Sequence, residues 1–271
     1  MGPCYGLICL FDSSDALCLW NLATKEIKDI PEPLIPHDVE CLDSALFGFG
    51  FERKTRDYKV VKLLKKDCED QNNDYHNYVY TLSSNSWRKL DVVLPAHLHI
   101  YIYFYGNLAY NGGTYYWWAE TVIICFDMSN EQFGVIDLPK IVFPLVERTI
   151  KRSSIFTEYN GTLAVIYWLV NEKYETWFEL WKMNGHGMTV TWAKQLSVGW
   201  LEVWLMPIGT FKNNRIIFTN KDEEDTIIAY DQETRSLQIP IPVDSETKIH
   251  YSTMETTALF YIESLVSMGD G

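Results

Sequence analysis

One pattern recurs along the chain: an apolar strand, an aromatic residue, a polar turn and a second strand. It reads "LCLWNLATKEIKDIP" at 17–31, "YVYTLSSNSWRKL" at 78–90, "CFDMSNEQFGVIDLP" at 125–139, "FELWKMNGHGMTVTWAKQL" at 178–196 and "IAYDQETRSLQIPIP" at 228–242. The aromatics are Trp20, Tyr80, Phe126, Trp181 and Tyr230, spaced 60, 46, 55 and 49 residues apart. Repeats of roughly 40–50 residues are the mark of propellers or solenoids. Ahead of each hairpin comes a turn rich in Gly or Asn and then an apolar strand, as in "YGLICLF", "NGGTYYWWAE", "NGTLAVIYWLV" and "KNNRIIFTN". The second unit carries "ALFGFGF" and "DYKVVKLL" joined by "ERKTR". Asn-Gly and Asn-Asn tolerate the positive φ of tight hairpins, and the strands are rich in Val, Ile, Tyr, Phe and Trp.

No stretch sustains apolar spacing at i, i+3, i+4 and i+7 with good caps, so a long helix is not expected. The pattern predicts about 18–21 strands, up to four antiparallel strands per unit, the size of a propeller blade. A lone four-stranded sheet with two apolar faces cannot cover both. Stacking such sheets around an axis buries each face against a neighbour, with aromatics of roughly 150–250 Å² each in the wedges. The expected fold is an all-β propeller with five recognisable blades and a last blade that is incomplete or closed from both termini.

Composition narrows the partners. The chain has 271 residues and a formal net charge of −13, with a pI near 4.9. An acidic surface repels nucleic-acid phosphate and steers basic partners toward itself. Six cysteines stand at Cys4, Cys9, Cys18, Cys41, Cys68 and Cys125 without any Cys-x-x-Cys pair, which indicates neither a disulfide scaffold nor a zinc ribbon. The expected compartment is reducing and cytoplasmic. Asn160-Gly161-Thr162 fits a hairpin turn better than a glycosylation site, since no signal peptide precedes it. No apolar run is long enough to span a bilayer.

Taken in order, "GLICLF", "LCLWNLATKEIKDIPEP", "FGFGFERKTRDYKVVKL", "VYTLSSNSWRKL", "FDMSNEQFGVIDLP", "ELWKM…TWAKQLSV" and "FYIESLVSM" resemble the type 1 F-box-associated domain of plant F-box proteins, with the S-locus F-box group nearest in flavour. The resemblance runs from about residue 2 to residue 268. It implies a single domain over residues 1–271 and six blades in the intact protein. It also implies a recruiting role: an N-terminal F-box docks on the Skp-type adaptor of a cullin ubiquitin ligase, and the associated domain binds the protein to be ubiquitinated. In the S-locus group that protein is an S-RNase, a generally basic ribonuclease that enters the pollen tube. The F-box itself is absent from this sequence, and "MGP" leads straight into a core-like strand. The chain is therefore expected to be part of something longer and not to bind the adaptor alone.

Catalytic constellations are sparse. The histidines are His37, His76, His97, His99, His186 and His250. His97 and His99 would share a strand face, but no Asp, Glu or Cys joins them at ligand spacing. Glu120, Glu158, Glu179 and Glu202 could be glycosidase acids only if two came within about 5–5.5 Å. Gly-x-Ser-x-Gly is missing, and "GFGF" at 48–51 lacks the third glycine and following helix of a dinucleotide fingerprint. Trp117 and Trp118 would point to opposite faces of one strand, where core packing explains them better than ligand stacking. No cofactor or metal is expected. The candidate partner-binding residues are two acidic loop clusters: Asp67, Glu69, Asp70 and Asp74, and Asp222, Glu223, Glu224 and Asp225. Loops on a rigid scaffold concentrate binding residues. The alternatives are a propeller enzyme acting on carbohydrate, or a truncated F-box protein without ligase function.

Overall fold

Three of the recurring polar turns are closed by their own first residue. Asn21 Oδ1 accepts from the backbone N–H of Ala23 at 3.0 Å and of Thr24 at 3.3 Å. Asp127 Oδ1 accepts from Ser129 at 2.7 Å and Asn130 at 2.9 Å. Asp231 Oδ1 accepts from Glu233 at 2.9 Å and Thr234 at 3.1 Å. Each turn ends on a residue in the left-handed region: Lys25 at φ 61°, Glu131 at 54° and Arg235 at 52°. A short polar side chain that bonds its own backbone is what fixes such turns, so the repeated Asx-x-x-x unit is held by local hydrogen bonds.

A computed structural model describes residues 4–12, 16–35, 42–66, 74–91, 109–119, 122–142, 144, 149–186, 189–211, 215–222 and 226–238. Among the described residues nineteen strands form five antiparallel sheets in chain order. The first holds β1 (Ile8–Phe11), β2 (Leu17–Asn21) and β3 (Glu26–Ile30). The second holds β4 (Leu42–Glu52), β5 (Asp57–Lys66), β6 (Asp74–Thr81) and β7 (Ser86–Leu90). The third holds β8 (Ala109–Asn111), β9 (Thr114–Ala119), β10 (Val122–Asp127) and β11 (Gln132–Asp137). The fourth holds β12 (Thr149–Tyr159), β13 (Thr162–Asn171), β14 (Thr176–His186) and β15 (Thr189–Leu201). The fifth holds β16 (Leu205–Phe211), β17 (Arg215–Asn220), β18 (Thr226–Asp231) and β19 (Ser236–Gln238).

Every recurring hairpin is the outer pair of a sheet: β2–β3, β6–β7, β10–β11, β14–β15 and β18–β19. The first strands β4, β8, β12 and β16 approach one another at the inner side. This is the blade arrangement of a β-propeller. Asn160 and Gly161, both at positive φ, make the two-residue turn from β12 to β13, and Gly112 and Gly113 do the same from β8 to β9. In the first sheet Tyr5 and Gly6 repeat this turn, with Cys4 and Leu7 exchanging hydrogen bonds of 2.8 and 3.1 Å. Strands β1 to β3 therefore correspond to the second, third and fourth strands of the other sheets. The strand expected in "ETTALFYIESLVSM" lies outside the described residues.

Each interior sheet buries both faces. Along β13, Ala164, Ile166, Trp168 and Val170 join the core shared with the fifth sheet, while Leu163, Val165 and Tyr167 join the core shared with the third. That double burial explains the unbroken apolar run "TLAVIYWLV". Trp117 and Trp118 divide as expected. Trp117 packs toward the second sheet and donates its indole N–H to the Phe47 carbonyl at 2.8 Å. Trp118 packs edge-on to Phe156 and Tyr167 of the fourth sheet at 5.2 and 6.0 Å. The "FGFGF" of β4 alternates likewise: Phe47 and Phe49 face the first sheet. A Cβ on Gly48 would stand 2.5 Å from Trp117 Cζ2, and one on Gly50 would stand 2.6 Å from the Tyr110 ring. These glycines serve close approach of a neighbouring sheet and not a phosphate.

Trp181 differs from its counterparts. Tyr80 and Phe126 are fully buried and Trp20 half-buried, each immediately before its turn. Strand β14 instead runs on to His186, five residues past Trp181, so the fourth hairpin is longer. Trp181 is half-buried and donates its indole N–H to Glu179 at 2.8 Å.

Candidate functional site

Up-and-down connectivity gives the sheets two distinct ends. First-to-second and third-to-fourth connections lie at one, the turn end. Second-to-third connections and the passages between sheets lie at the other, the loop end. Bonds between neighbouring sheets tie like ends together at the turn end: Asn111 Nδ2 donates to the Gly161 carbonyl at 3.2 Å, and Tyr159 Oη donates to Gln232 at 3.1 Å. The described turn-end connections are short, and three are capped by their own first residue. Loop-end connections carry most of the sequence that has no repeat, and function is expected on that side of a rigid scaffold.

The best-defined part of the loop end joins the fourth and fifth sheets. The β13–β14 loop is organised by Asn171, whose Oδ1 accepts from the N–H groups of Lys173 at 2.9 Å and Glu175 at 3.0 Å. Its Nδ2 donates to Glu175 Oε2 at 2.7 Å. Buried Thr176 links this loop to the next passage: its hydroxyl donates to the Val203 carbonyl at 2.7 Å and accepts from Leu205 N–H at 2.8 Å. Trp204 N–H donates to Asp222 Oδ2 at 3.0 Å, and Lys221 N–H donates to the Trp204 carbonyl at 2.8 Å. Three separate connections are thus stitched into one surface.

Tyr174 stands on that surface, 49% exposed, at φ 62°. Its ring lies 5.1 Å from that of half-buried Trp204. Exposed carboxylates flank the rings in sequence: Glu172, Glu202 and Asp222, with half-buried Glu175. An aromatic face beside carboxylates suits a Lys or Arg head, which gains cation–π attraction and ion pairing together. Sequence reasoning missed Tyr174, Trp204, Glu172, Glu175 and Glu202 as members of one surface. The available signal was an aromatic beside acidic residues in two loops, "NEKYE" and "LEVW", which sit 30 residues apart by their aromatics.

Of the predicted partner-binding residues, Asp222 belongs to this surface and also caps Trp204 N–H. Asp74 opens β6, with its backbone in register with Lys66. Asp67, Glu69, Asp70, Glu223, Glu224 and Asp225 lie outside the described residues. The strands flanking those two segments, β5 and β6, and β17 and β18, meet at the loop end.

Among the described residues, Glu158, Glu179 and Glu202 do not assemble with one another. Glu179 is buried in mid-strand, held by Trp181 and by Lys194 Nζ at 2.8 Å. Glu158 and Glu202 are exposed at opposite ends of the fourth sheet, and Glu120 lies outside the described residues, as do His37, His97, His99 and His250. His76 sits half-buried within β6. Among the described residues no three His, Cys, Asp or Glu side chains gather as metal ligands would, and no helix is long and apolar enough to cross a membrane. Burial pushes the thiols of Cys4 and Cys9 up to about 12 and that of Cys125 to about 11, the behaviour of packing residues and not nucleophiles.

Comparison with known proteins agrees with this architecture. The profile of the F-box associated beta propeller domain matches residues 1–268. F-box protein CPR1 of Arabidopsis thaliana is 24% identical over 220 residues, which cover 73% of this chain and 51% of that protein. F-box protein At2g34280 of the same plant is 23% identical over 306 residues, covering 98% of this chain and 73% of the relative. F-box protein At3g07870 is 28% identical over 228 residues, covering 73% and 50%. The chain thus spans about half the length of CPR1 and At3g07870. With its outer hairpins, inner first strands and matched span, it belongs to the F-box associated beta propeller domain family.

Proposed function

We propose that residues 1–271 form one substrate-recognition domain of a cytoplasmic SCF-type ubiquitin ligase, and that the loop end takes a basic protein surface. The carrying observation is the half-exposed Tyr174 against Trp204, beside Glu172, Glu175, Glu202 and Asp222, on connections fixed by hydrogen bonds. Rigid aromatic anchors with a charged surround are what hot spots consist of. The net charge of −13 adds long-range attraction for a cationic partner. The names of the relatives support the ligase setting, in which a Skp-type adaptor and a cullin would engage an F-box, and the resemblance to the S-locus group supports an S-RNase as the basic partner.

The test is binding of a purified S-RNase to the domain carrying Glu172→Lys and Glu202→Lys, two exposed positions. Association should slow on the order of tenfold at low salt, with a flatter salt dependence. Charge reversal at Asp67, Glu69, Asp70 and Asp74 should act in the same direction. Kinetics unchanged in both variants would remove the loop end as the recognition surface. Absence of binding by the unaltered domain, with polylysine still captured, would remove the S-RNase and keep the basic-partner reading.

A further inference from the structure

At the turn end, the β4–β5 turn is a local cluster of cations on this acidic molecule. Arg53, Lys54 and Arg56 fill three of the four positions in the β4–β5 turn, all exposed. Among the described residues none pairs with a carboxylate. Arg53 Nη2 donates to Tyr5 Oη at 3.3 Å, and Lys54 Nζ reaches Asn130 Oδ1 at 3.5 Å. Arg56 makes no hydrogen bond or ion pair among the described residues. Nearby cations behave differently: Lys59 pairs with Glu52 and Glu131, and Arg88 pairs with Glu131. Lys25 and Arg235, also exposed, stand on other turns of this end.

The carboxylates that flank this turn in sequence are engaged elsewhere, Glu52 with Lys59 and Asp57 with Ser83. Of the other acids at this end, Glu131 is held by Lys59 and Arg88, while Glu158 and Glu233 are exposed on other sheets. Asp127 and Asp231 direct their oxygens at the N–H groups of their own turns. An aromatic group completes the patch. Tyr5 is 50% exposed, and its ring lies 4.8 Å from Phe51. Tyr and Arg are the residues enriched at protein interfaces, and the guanidinium fork matches carboxylates in paired geometry.

We propose that the turn end, centred on Arg53, Lys54, Arg56 and Tyr5, is a second docking surface whose partner is an acidic protein segment. Charge complementarity selects the partner class. A chain of net charge −13 repels an extended polyanion such as nucleic acid, whereas a short carboxylate-rich segment meets only the local cations within a Debye length of about 8 Å at physiological salt. The two ends then bind oppositely charged proteins at once, which makes the domain a bridge. This surface stands independently of the loop-end assignment.

The probe is a labelled polyglutamate peptide, with binding followed by fluorescence anisotropy. The unaltered domain should bind it at low salt and release it progressively as salt rises. The variant R53E/K54E/R56E should bind on the order of tenfold more weakly, while E172K/E202K binds no more weakly than the unaltered domain. A neutral variant, R53Q/K54Q/R56N, keeps a residue tolerant of φ 57° at position 56 and should lose affinity to an intermediate degree. Equal binding by both turn variants and the unaltered domain, or no binding by the unaltered domain, overturns the proposal. Tighter binding of a single-stranded oligonucleotide than of the peptide also overturns it, in favour of nucleic acid.

Discussion

The junction between the second and third sheets and the junction between the fourth and fifth solve one packing problem with different polar chemistry. At the second-to-third junction, Lys59 is buried and reaches across. Its ammonium bonds Met128 O and Glu131 Oε1 at 2.8 Å each and Glu52 Oε2 at 2.5 Å, and Arg88 bonds the other oxygen of Glu131. At the fourth-to-fifth junction the links are neutral. Thr157 and Thr210 share hydroxyls at 3.1 Å, Thr210 N–H donates to Thr157 Oγ1 at 3.0 Å, and the Thr210 hydroxyl donates to the Glu158 carbonyl. Beneath them Phe178 packs against Phe218 at 5.0 Å and edge-on to Tyr230 at 5.4 Å. One junction is locked by charge and the other by shape, so they should fail differently.

The largest effects come from removing the centre of each lock. Lys59→Met leaves Glu52 and Glu131 facing each other without their shared cation, which should cost about 3–5 kcal/mol. Phe178→Ala opens a cavity at the other junction, at a similar cost of about 3–5 kcal/mol. Denaturant unfolding at two pH values separates them. The Lys59→Met cost should shrink as acid protonates the abandoned carboxylates, while the Phe178→Ala cost should not move with pH. A pH-independent Lys59→Met cost would show that the lysine acts through packing alone.

Gly48→Ala is the next test, expected to cost about 1–3 kcal/mol by forcing Trp117 off its seat. The new methyl would meet the indole at 2.5 Å, so tryptophan fluorescence should shift with stability. Gly199, with open space around its Cβ position, is the control: Ala there should leave Trp117 undisturbed.

The smallest effect is a pH dependence. Burial alone would raise the Glu131 carboxyl, but hydrogen bonds from Arg88 and Lys59, with their positive charges, outweigh it and hold the group below its ordinary value of 4.5. A carboxyl depressed by folding stabilises the native state above its unfolded value, and that stabilisation is lost as pH falls through the folded value. The stability curve should therefore drop below about pH 4.5. In Glu131→Gln that part of the drop should be missing, at the price of lower stability at neutral pH. Identical acid limbs in the two proteins would remove Glu131 from the account.

Much of the blade was legible beforehand because it is local. A five-residue turn capped by Asp or Asn, an Asn-Gly pair and a strand alternating every second residue all declare themselves within about ten positions. Trp117 and Trp118 could be assigned to opposite faces for the same reason. Trp181 was aligned with its counterparts by spacing, yet β14 runs past it, because strand length depends on the partner β15 and not on the aromatic. The glycines of "FGFGF" were stripped of a phosphate-binding role on local grounds. Their purpose lies in Trp117, 69 residues after Gly48, and Tyr110, 60 residues after Gly50, which pack against them.

The sequence alone determined the repeating hairpin, the all-β class and the acidic balance, since each is written in neighbouring residues or in a sum over them. Tertiary structure alone decided that Tyr174 meets Trp204, that Lys59 meets two carboxylates, and that Tyr5 meets the β4–β5 turn while Glu172, Glu202 and Asp222 gather at the loop end. Those outcomes require residues far apart in the chain to become neighbours, and only the stacking of sheets in a fixed order brings them together.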